Sequence, residues 1–321
     1  MTRDKDFSNI KVELTIQNSI ADQLIDQARS FRHQCSKAVK DMQDVHIEKM
    51  KKKKGLKDID NDIDDDSEEA ERRIAHYISI RRNHSLRGWF PAPYDPNQLI
   101  VLFPCLRLKK GYHLGAYQFL DRNGNGCAKL FVIPDKQTLP KKPPQKALND
   151  LTWDMDSSNN TPKWKSILRK VSHYFISLAL PYYRSIPKWA DGDIGKYIEG
   201  DESPLSYFQA SILFRELYEL GAIWHNVYWG HHKFVTSPSD LLYEDWLQEE
   251  SKPIVWTWKE PEPKELCPVV WKDKDQRFNV TFYTIDKMCA NLISYKDTFI
   301  KGYKFTISSK TIADYPGGYM V

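Results

Sequence analysis

The sequence predicts an α+β protein, and three observations support this prediction. A helical periodicity runs through residues 19–50, alternating apolar and polar residues follow Gly88, and β-like segments dominate the chain after Pro253. We expect an N-terminal helical hairpin of coiled-coil character, a small antiparallel β meander, a helical middle and a β-rich C-terminal part.

The N-terminal helix is predicted from apolar residues that recur at alternating spacings of four and three. Lys51–Lys54 and an acidic run at 58–66 follow this stripe, and such charged blocks are typical of exposed loops. A second, shorter helix is expected before Gly88. The stripe can pair within this hairpin or with another chain, so a protein partner or a homodimer through residues 19–50 is one hypothesis. Its members are Leu24, Ala28, Phe31, Cys35, Ala38, Met42 and Val45.

The character of the chain changes at Gly88, where Pro91 and Pro93 prevent a helix from continuing. The apolar run from Gln98 to Cys105 predicts a buried strand. Residues 113–120 and 127–133 predict two more strands, and a turn-forming run lies between them. Residues 136–150 are rich in proline and lysine, which predicts an exposed, extended connector at a domain boundary.

Two helices are predicted in the middle of the chain, each with a proline in its first turn. The first follows Thr161 and the second follows Ser203. The second is apolar around most of its circumference as far as Trp224, so we expect a central, buried helix. Residues 285–300 also look helical. Strands are predicted at 254–258, 269–272, 278–285 and 303–308.

The domain organisation and the cellular setting follow from length, composition and cysteine content. We predict an N-terminal domain at 1–87, a meander with its connector at 88–150, and a mixed domain at 151–321. The 321 residues are 41% hydrophobic and 13% aromatic, which excludes wholesale disorder. Five cysteines without a CxxC pair predict buried free thiols and a cytoplasmic protein. No apolar stretch reaches the roughly 20 residues of a membrane span, and the N-terminus lacks a signal peptide, so no membrane partner is expected.

Basic and aromatic residues alternate in three segments, which indicates nucleic-acid binding because cations suit phosphates and rings suit unpaired bases. The plainer interpretation is a solvated surface above core aromatics. The net charge of +4 permits an anionic partner without demanding one. The candidate residues are Lys163, Trp164, Lys165, Arg169, Lys170, Arg87, Lys109 and Lys110.

The first function hypothesis is therefore a protein that binds DNA or RNA, in genome defence or mobile-element biology. Common enzyme motifs do not argue against this hypothesis, since a Walker A loop, a GxGxxG turn and a GxSxG elbow are all absent from the sequence.

A restriction-type, metal-dependent nuclease is the alternative. Such enzymes place an acid upstream of a Glu/Asp-x-Lys triplet, so that the carboxylates bind Mg²⁺ and the lysine orients the attacking water. Asp240 with Glu262 and Lys264 fits this order. Pro261 and Pro263 flank the glutamate, however, and prolines argue against a paired central strand.

Three histidines cluster after the predicted central helix and form a candidate ligand patch: His225, His231 and His232. They lack the i, i+4 spacing with which two histidines bind a metal from one helical face. A histidine near a helix C-terminus is also explained by the exposed carbonyl groups there. The metal and any other cofactor stay open, with Mg²⁺ implied only by the nuclease hypothesis.

Overall fold

The computed structural model describes residues 11–54, 86–121, 124–152, 186–223, 227–241 and 255–315. The second helix of the predicted hairpin and the helix predicted after Thr161 lie outside these ranges. Within the described ranges the chain forms four α-helices and twelve strands, and the strands make three antiparallel sheets. The prediction of an α+β fold with a long N-terminal helix and a β-rich C-terminal part is confirmed.

A short strand and a long helix begin the described chain: β1 (Lys11–Thr15) and α1 (Asn18–Lys54). Leu24, Ala28 and Cys35 of the predicted stripe are buried against the core. Beyond them the buried residues are Val39 and Ile47, whereas Val45 of the stripe is 53% exposed. A straight helix drifts by about 20° per heptad from a 3.5-residue repeat, so the buried face leaves the predicted seam after Cys35.

The predicted meander is a three-stranded antiparallel sheet in the order β2-β4-β5. The strands predicted at 113–120 and 127–133 are confirmed as β4 and β5. The strand predicted at 98–105 is wrong, because a five-residue helix and a turn occupy those residues; a short apolar run does not distinguish a strand from a buried helix. The elements are β2 (Gly88–Pro91), α2 (Asn97–Val101), β3 (Leu106–Leu108), β4 (Tyr112–Leu120) and β5 (Gly126–Pro134).

Two further elements lead to the central helix. The predicted extended connector contains α3 (Gln145–Thr152), so its last residues are helical. β6 (Ile198–Gly200) pairs antiparallel with β3 and forms a separate two-stranded sheet.

The central helix, α4 (Pro204–Tyr218), begins as predicted. The Ser203 hydroxyl accepts a hydrogen bond from the Ser206 amide at 3.2 Å, which satisfies one of the free donors of the first turn. The helix is buried on nearly every side, which confirms its predicted position in the core. It ends at Tyr218, earlier than predicted, and Gly221 with φ +70° then reverses the chain.

The largest sheet contains β1 and six further strands: β7 (His232–Val235), β8 (Thr257–Trp258), β9 (Val269–Lys272), β10 (Phe278–Asp286), β11 (Asn291–Lys301) and β12 (Lys304–Asp314). Six of the seven follow the order β1-β9-β10-β11-β12-β8, and β7 pairs with β10 on the side that β9 also occupies. The strands predicted at 269–272 and 278–285 are confirmed. The helix predicted at 285–300 is wrong: these residues end β10 and form most of β11, where β-branched and aromatic residues suit a half-buried strand.

One hydrophobic core joins these elements. Ala28 of α1, Phe103 after α2, Phe208 of α4 and Phe282 of β10 are all buried members of the same cluster. The cluster therefore draws on all three predicted segments, 1–87, 88–150 and 151–321. Their boundaries as domains stay a prediction.

Candidate nucleic-acid interface

A basic cleft of about 320 Å³ lies between α1 and the chain that follows α4. Four basic side chains of α1 line one wall, and no carboxylate is among the described residues that line the cleft. Ala222, Ile223, Val227 and Gly230 supply the opposite wall. The basic residues are Arg32, His33, Lys37 and Lys40.

The helix α1 is held at this position by ion pairs that cross the core. Arg32 donates to Glu219 of the turn after α4 at 2.5 Å, across 187 positions of sequence. Its Nε lies 2.9 Å from Glu216 Oε2, an ion pair whose N–H is not aligned for a hydrogen bond. The Ser36 hydroxyl donates to the Ala222 carbonyl at 2.8 Å. These bonds join the two walls, so the cleft is pre-formed in the sense that it exists without a ligand.

The carboxylate of Glu219 also orders the turn that forms the far wall. It accepts backbone N–H bonds from Tyr228 at 2.6 Å, from Trp229, and from Gly230 at 2.9 Å. Consecutive amides that converge in this way favour an anion. Gly230 packs against the Arg32 guanidinium so closely that a Cβ there would lie 2.7 Å from Arg32 Nη1. A side chain at this position would push the guanidinium out of its site.

Glu216 lies beneath the cleft and is fully buried. Burial raises the pKa of its carboxyl, while the nearby Arg32 and Arg29 lower it in part. The indole Nε1 of Trp229 donates to Glu216 Oε1 at 2.8 Å. Lys37 and Lys40, which also line the cleft, are both exposed to solvent.

The structure places only some of the predicted nucleic-acid residues. Lys163, Trp164, Lys165, Arg169 and Lys170 lie outside the described ranges. Arg87 is exposed and directly follows Leu86, which packs in a cluster with Val39 of α1 and Ile223 of the cleft wall. Lys109 and Lys110 are exposed in the turn between β3 and β4, where the Lys109 amide donates to the Tyr197 carbonyl at 2.8 Å. None of the described candidates is among the residues that line the cleft, and their role in nucleic-acid binding stays a prediction.

The predicted histidine patch separates into different environments. His225 lies outside the described ranges, and His231 is half-buried at the end of a 3₁₀ turn, Trp229–His231. His232 is buried, with Nδ1 2.9 Å from Thr284 Oγ1 and its ring stacked on Trp229. Burial lowers the pKa of His232, and the arginines Arg29 and Arg215 add to this effect. His232 is thus packed within the core, and the assignment of a ligand patch stays a prediction.

The predicted nuclease residues are also placed. Asp240 caps a turn, since Oδ2 accepts the amides of Thr236 at 2.9 Å and Ser237 at 2.8 Å. Glu262 and Lys264 are exposed in an irregular segment between β8 and β9. Among the described residues, no group of three His, Cys, Asp or Glu side chains could hold a metal ion. The nuclease assignment stays a prediction.

Sequence reasoning missed the residues that build the cleft. A polar stripe runs along α1 at spacings of three, four and four, through Arg29, Arg32, Ser36 and Lys40, and this spacing marks one helical face. A second signal lies in α4, where Glu216 interrupts an apolar helix. A buried charge requires a partner, so the two signals together point to contact between these helices.

Comparison with known protein families, curated proteins and solved structures finds no match to this chain. None of the helices in the described ranges is both long enough and apolar enough to cross a membrane.

Proposed function

We propose that this protein binds nucleic acid through the basic cleft, with Lys37 and Lys40 contacting backbone phosphates. The single observation that carries the proposal is a pre-formed cleft with four basic side chains and no carboxylate among its described lining residues. Lysines at such a site favour phosphate binding that is independent of base sequence.

Further exposed cations lie on α1 and beside it. Lys49, Lys52 and Lys53 are exposed on the last turns of α1, and Arg87 is exposed next to Leu86, which packs in a cluster with Val39 of α1. Lys49 to Lys53 lie about 14–24 Å along the helix axis from Lys37 and Lys40, given a rise of about 1.5 Å per residue. At 3.6 residues per turn, or about 100° per residue, Lys49 and Lys53 lie more than about 100° around the helix from both Lys37 and Lys40, so they are basic residues of α1 outside the cleft.

The test is a salt titration of binding to short fluorescent single-stranded DNA, duplex DNA and RNA. We expect affinity to fall linearly on logarithmic axes between about 50 and 200 mM salt. The double variant Lys37→Glu/Lys40→Glu should bind more weakly and should reduce the slope by about 1.8 for duplex or about 1.4 for single strands, since it removes two phosphate contacts.

The matched control is Lys136→Glu/Lys274→Glu, which changes the net charge equally at two exposed lysines that do not line the cleft. This control should change the slope of log affinity against log salt by less than the contribution of about half a phosphate contact. Equal losses in the two double variants, or no binding of any nucleic acid at low salt, would show that the cleft is not the contact surface.

The setting of this function is part of the same proposal. All five cysteines are free, which supports a reducing compartment such as the cytoplasm. A role in genome defence or mobile-element biology stays a prediction from sequence. The scaffold hypothesis through residues 19–50 is weakened, because Leu24, Ala28 and Cys35 are already buried within this chain.

A further inference from the structure

A second cavity, of about 340 Å³, lies between β5, α4 and β12 and is bounded by the 3₁₀ turn Ile194–Lys196. This volume is at the small end of the range for ligand sites, about 300–1,000 Å³, and suits one or two side chains. Its walls are mainly apolar. They include Leu130, Ile194, Phe214, Leu217, Phe305 and Ile307.

One wall of this cavity is a strand edge with unpaired backbone groups. β5 pairs with β4 on one side, and on the other side it bonds to Ile223 and Asp191 through its residues Gly126 and Val132. Backbone groups alternate in direction along a strand, so those of Ala128 and Leu130 point the same way as those of Gly126 and Val132. Among the described residues, neither of the two has a backbone partner on that side. Two N–H donors and two C=O acceptors of this edge therefore have no backbone partner among the described residues.

A second strand edge also lines the cavity. β12 pairs with β11 along its length, but β8 covers its other side only at Ala313 and Asp314. The stretch 304–310 has no strand partner on that side among the described residues. Ile307, in the middle of this stretch, lines the cavity and is 56% exposed. An unpaired edge of this kind is a template for an added strand.

Two lysines line the cavity, and they differ in whether an acidic residue pairs with them. Lys304 is paired with Asp193 at 3.1 Å. Lys129 lines the cavity, is half-buried and has no ionic partner among the described residues. An acidic side chain on an occupant would supply that partner.

We propose that this groove binds an extended segment of a partner protein by strand addition, with an apolar side chain in the cavity and an acidic side chain against Lys129. Strand edges in the cavity walls select an extended polypeptide, because its own amides and carbonyls match theirs. The apolar walls and the unpaired lysine then select the side chains.

A second copy of this chain fits the groove less well. If two β12 edges paired antiparallel about Ile307, Lys304 of one copy would lie opposite Lys310 of the other. Like charges directly opposite each other destabilise a strand pair.

The experiment uses the full chain and an array of synthetic peptides with a central Trp, Phe or Leu flanked by Asp or Glu. Counterparts carry Lys in place of the acids, and a third set carries N-methyl groups on alternate backbone nitrogens. We expect the acidic peptides to bind, and we expect N-methylation to weaken binding at least about tenfold because it removes the ladder hydrogen bonds.

Protein variants place the binding in the groove. Ile307→Lys should reduce affinity at least about tenfold, whereas Ile300→Lys, at a 60% exposed position of β11 outside the cavity lining, should not. Lys129→Glu should reverse the preference in favour of the Lys peptides.

Three results would overturn the proposal: no peptide of the array binds, N-methylated peptides bind as well as the parents, or Ile307→Lys has no effect. Dimerisation of the unaltered chain that Ile307→Lys abolishes would assign the groove to a second copy and would also overturn it. None of these results depends on the nucleic-acid cleft, because the two cavities share no lining residue.

Discussion

Replacing Asp297 by asparagine removes the negative half of a buried ion pair while it keeps the shape of the side chain. In the folded protein, Arg215 Nη1 lies 2.5 Å from Asp297 Oδ2 and Nη2 lies 2.8 Å from Oδ1. The Asp297 side chain is 0% exposed and that of Arg215 is 7% exposed. The Arg215 guanidinium also donates to the Ser211 carbonyl at 2.8 Å and lies over the rings of Trp229, Phe282 and Tyr295.

The expected cost follows from the charge that is left behind. Removal of one partner of a buried pair leaves an uncompensated charge, which costs about 3–5 kcal/mol. The ring contacts and the carbonyl bond offset part of this, so we expect a loss near 3 kcal/mol in the free energy of unfolding. The assay is urea denaturation followed by tryptophan fluorescence, with the denaturant slope checked for constancy.

A surface pair of similar length provides the control. Lys259 Nζ lies 2.6 Å from Asp314 Oδ2, but these side chains are 50% and 39% exposed. Because solvent screens exposed pairs, Asp314→Asn should cost no more than about 1 kcal/mol. The double variant Arg215→Met/Asp297→Leu should be more stable than Asp297→Asn, since it removes both charges. A loss below about 1 kcal/mol for Asp297→Asn, or a loss no larger than that of Asp314→Asn, would refute this reasoning.

Two further predictions concern stability. Because burial lowers the pKa of His232 below its usual 6.5, the unfolded chain takes up a proton there before the folded chain does. The stability that depends on neutral His232 is complete above pH 6.5 and is lost as the pH falls toward the pKa of His232 in the folded protein. The variant His232→Asn should therefore lose less stability than the unaltered protein between about pH 7 and 5. Parallel pH profiles of stability for the two proteins would contradict this prediction. Gly221→Ala should lower the free energy of unfolding by at least about 1–2 kcal/mol. The φ of Gly221 is +70°, and a Cβ there would overlap Tyr94 Oη and Gln118 Oε1. The control Gly192→Ala, where a Cβ would meet nothing within 4 Å, should change the free energy of unfolding by less than about 0.5 kcal/mol. Equal effects of the two glycine variants in thermal unfolding would show that the backbone strain is absent.

Local chemistry made much of the fold predictable. Ser203 and Pro204 mark the start of α4 because the cap and the proline act within one turn. The strands at 269–272 and 278–286 follow from their own apolar and β-branched residues. The wrong predictions share a cause: residues 98–105 and 285–300 are short apolar or mixed segments, and their state is decided by what packs against them.

The cleft was less predictable because it depends on distant partners. Arg32 and Glu219 are each ordinary polar residues in their own segments, and only the docking of α1 on α4 brings them together. The predicted basic–aromatic segments consist of residues that are neighbours in the sequence. The basic wall of the cleft instead consists of residues three and four positions apart, which share one face of a helix.

The pairing of β1 with β9 joins Lys11 to Lys272 and Thr15 to Val269. During synthesis β1 and the apolar face of α1 emerge early, whereas α4, on which α1 docks, is made in the second half of the chain and β9 only near its end. At about 5–20 residues per second, this delay is roughly 10–50 s. For that time, a nascent chain would expose Leu24, Ala28 and Cys35 to other proteins, so early contacts with chaperones should concentrate on its first 50 residues or so.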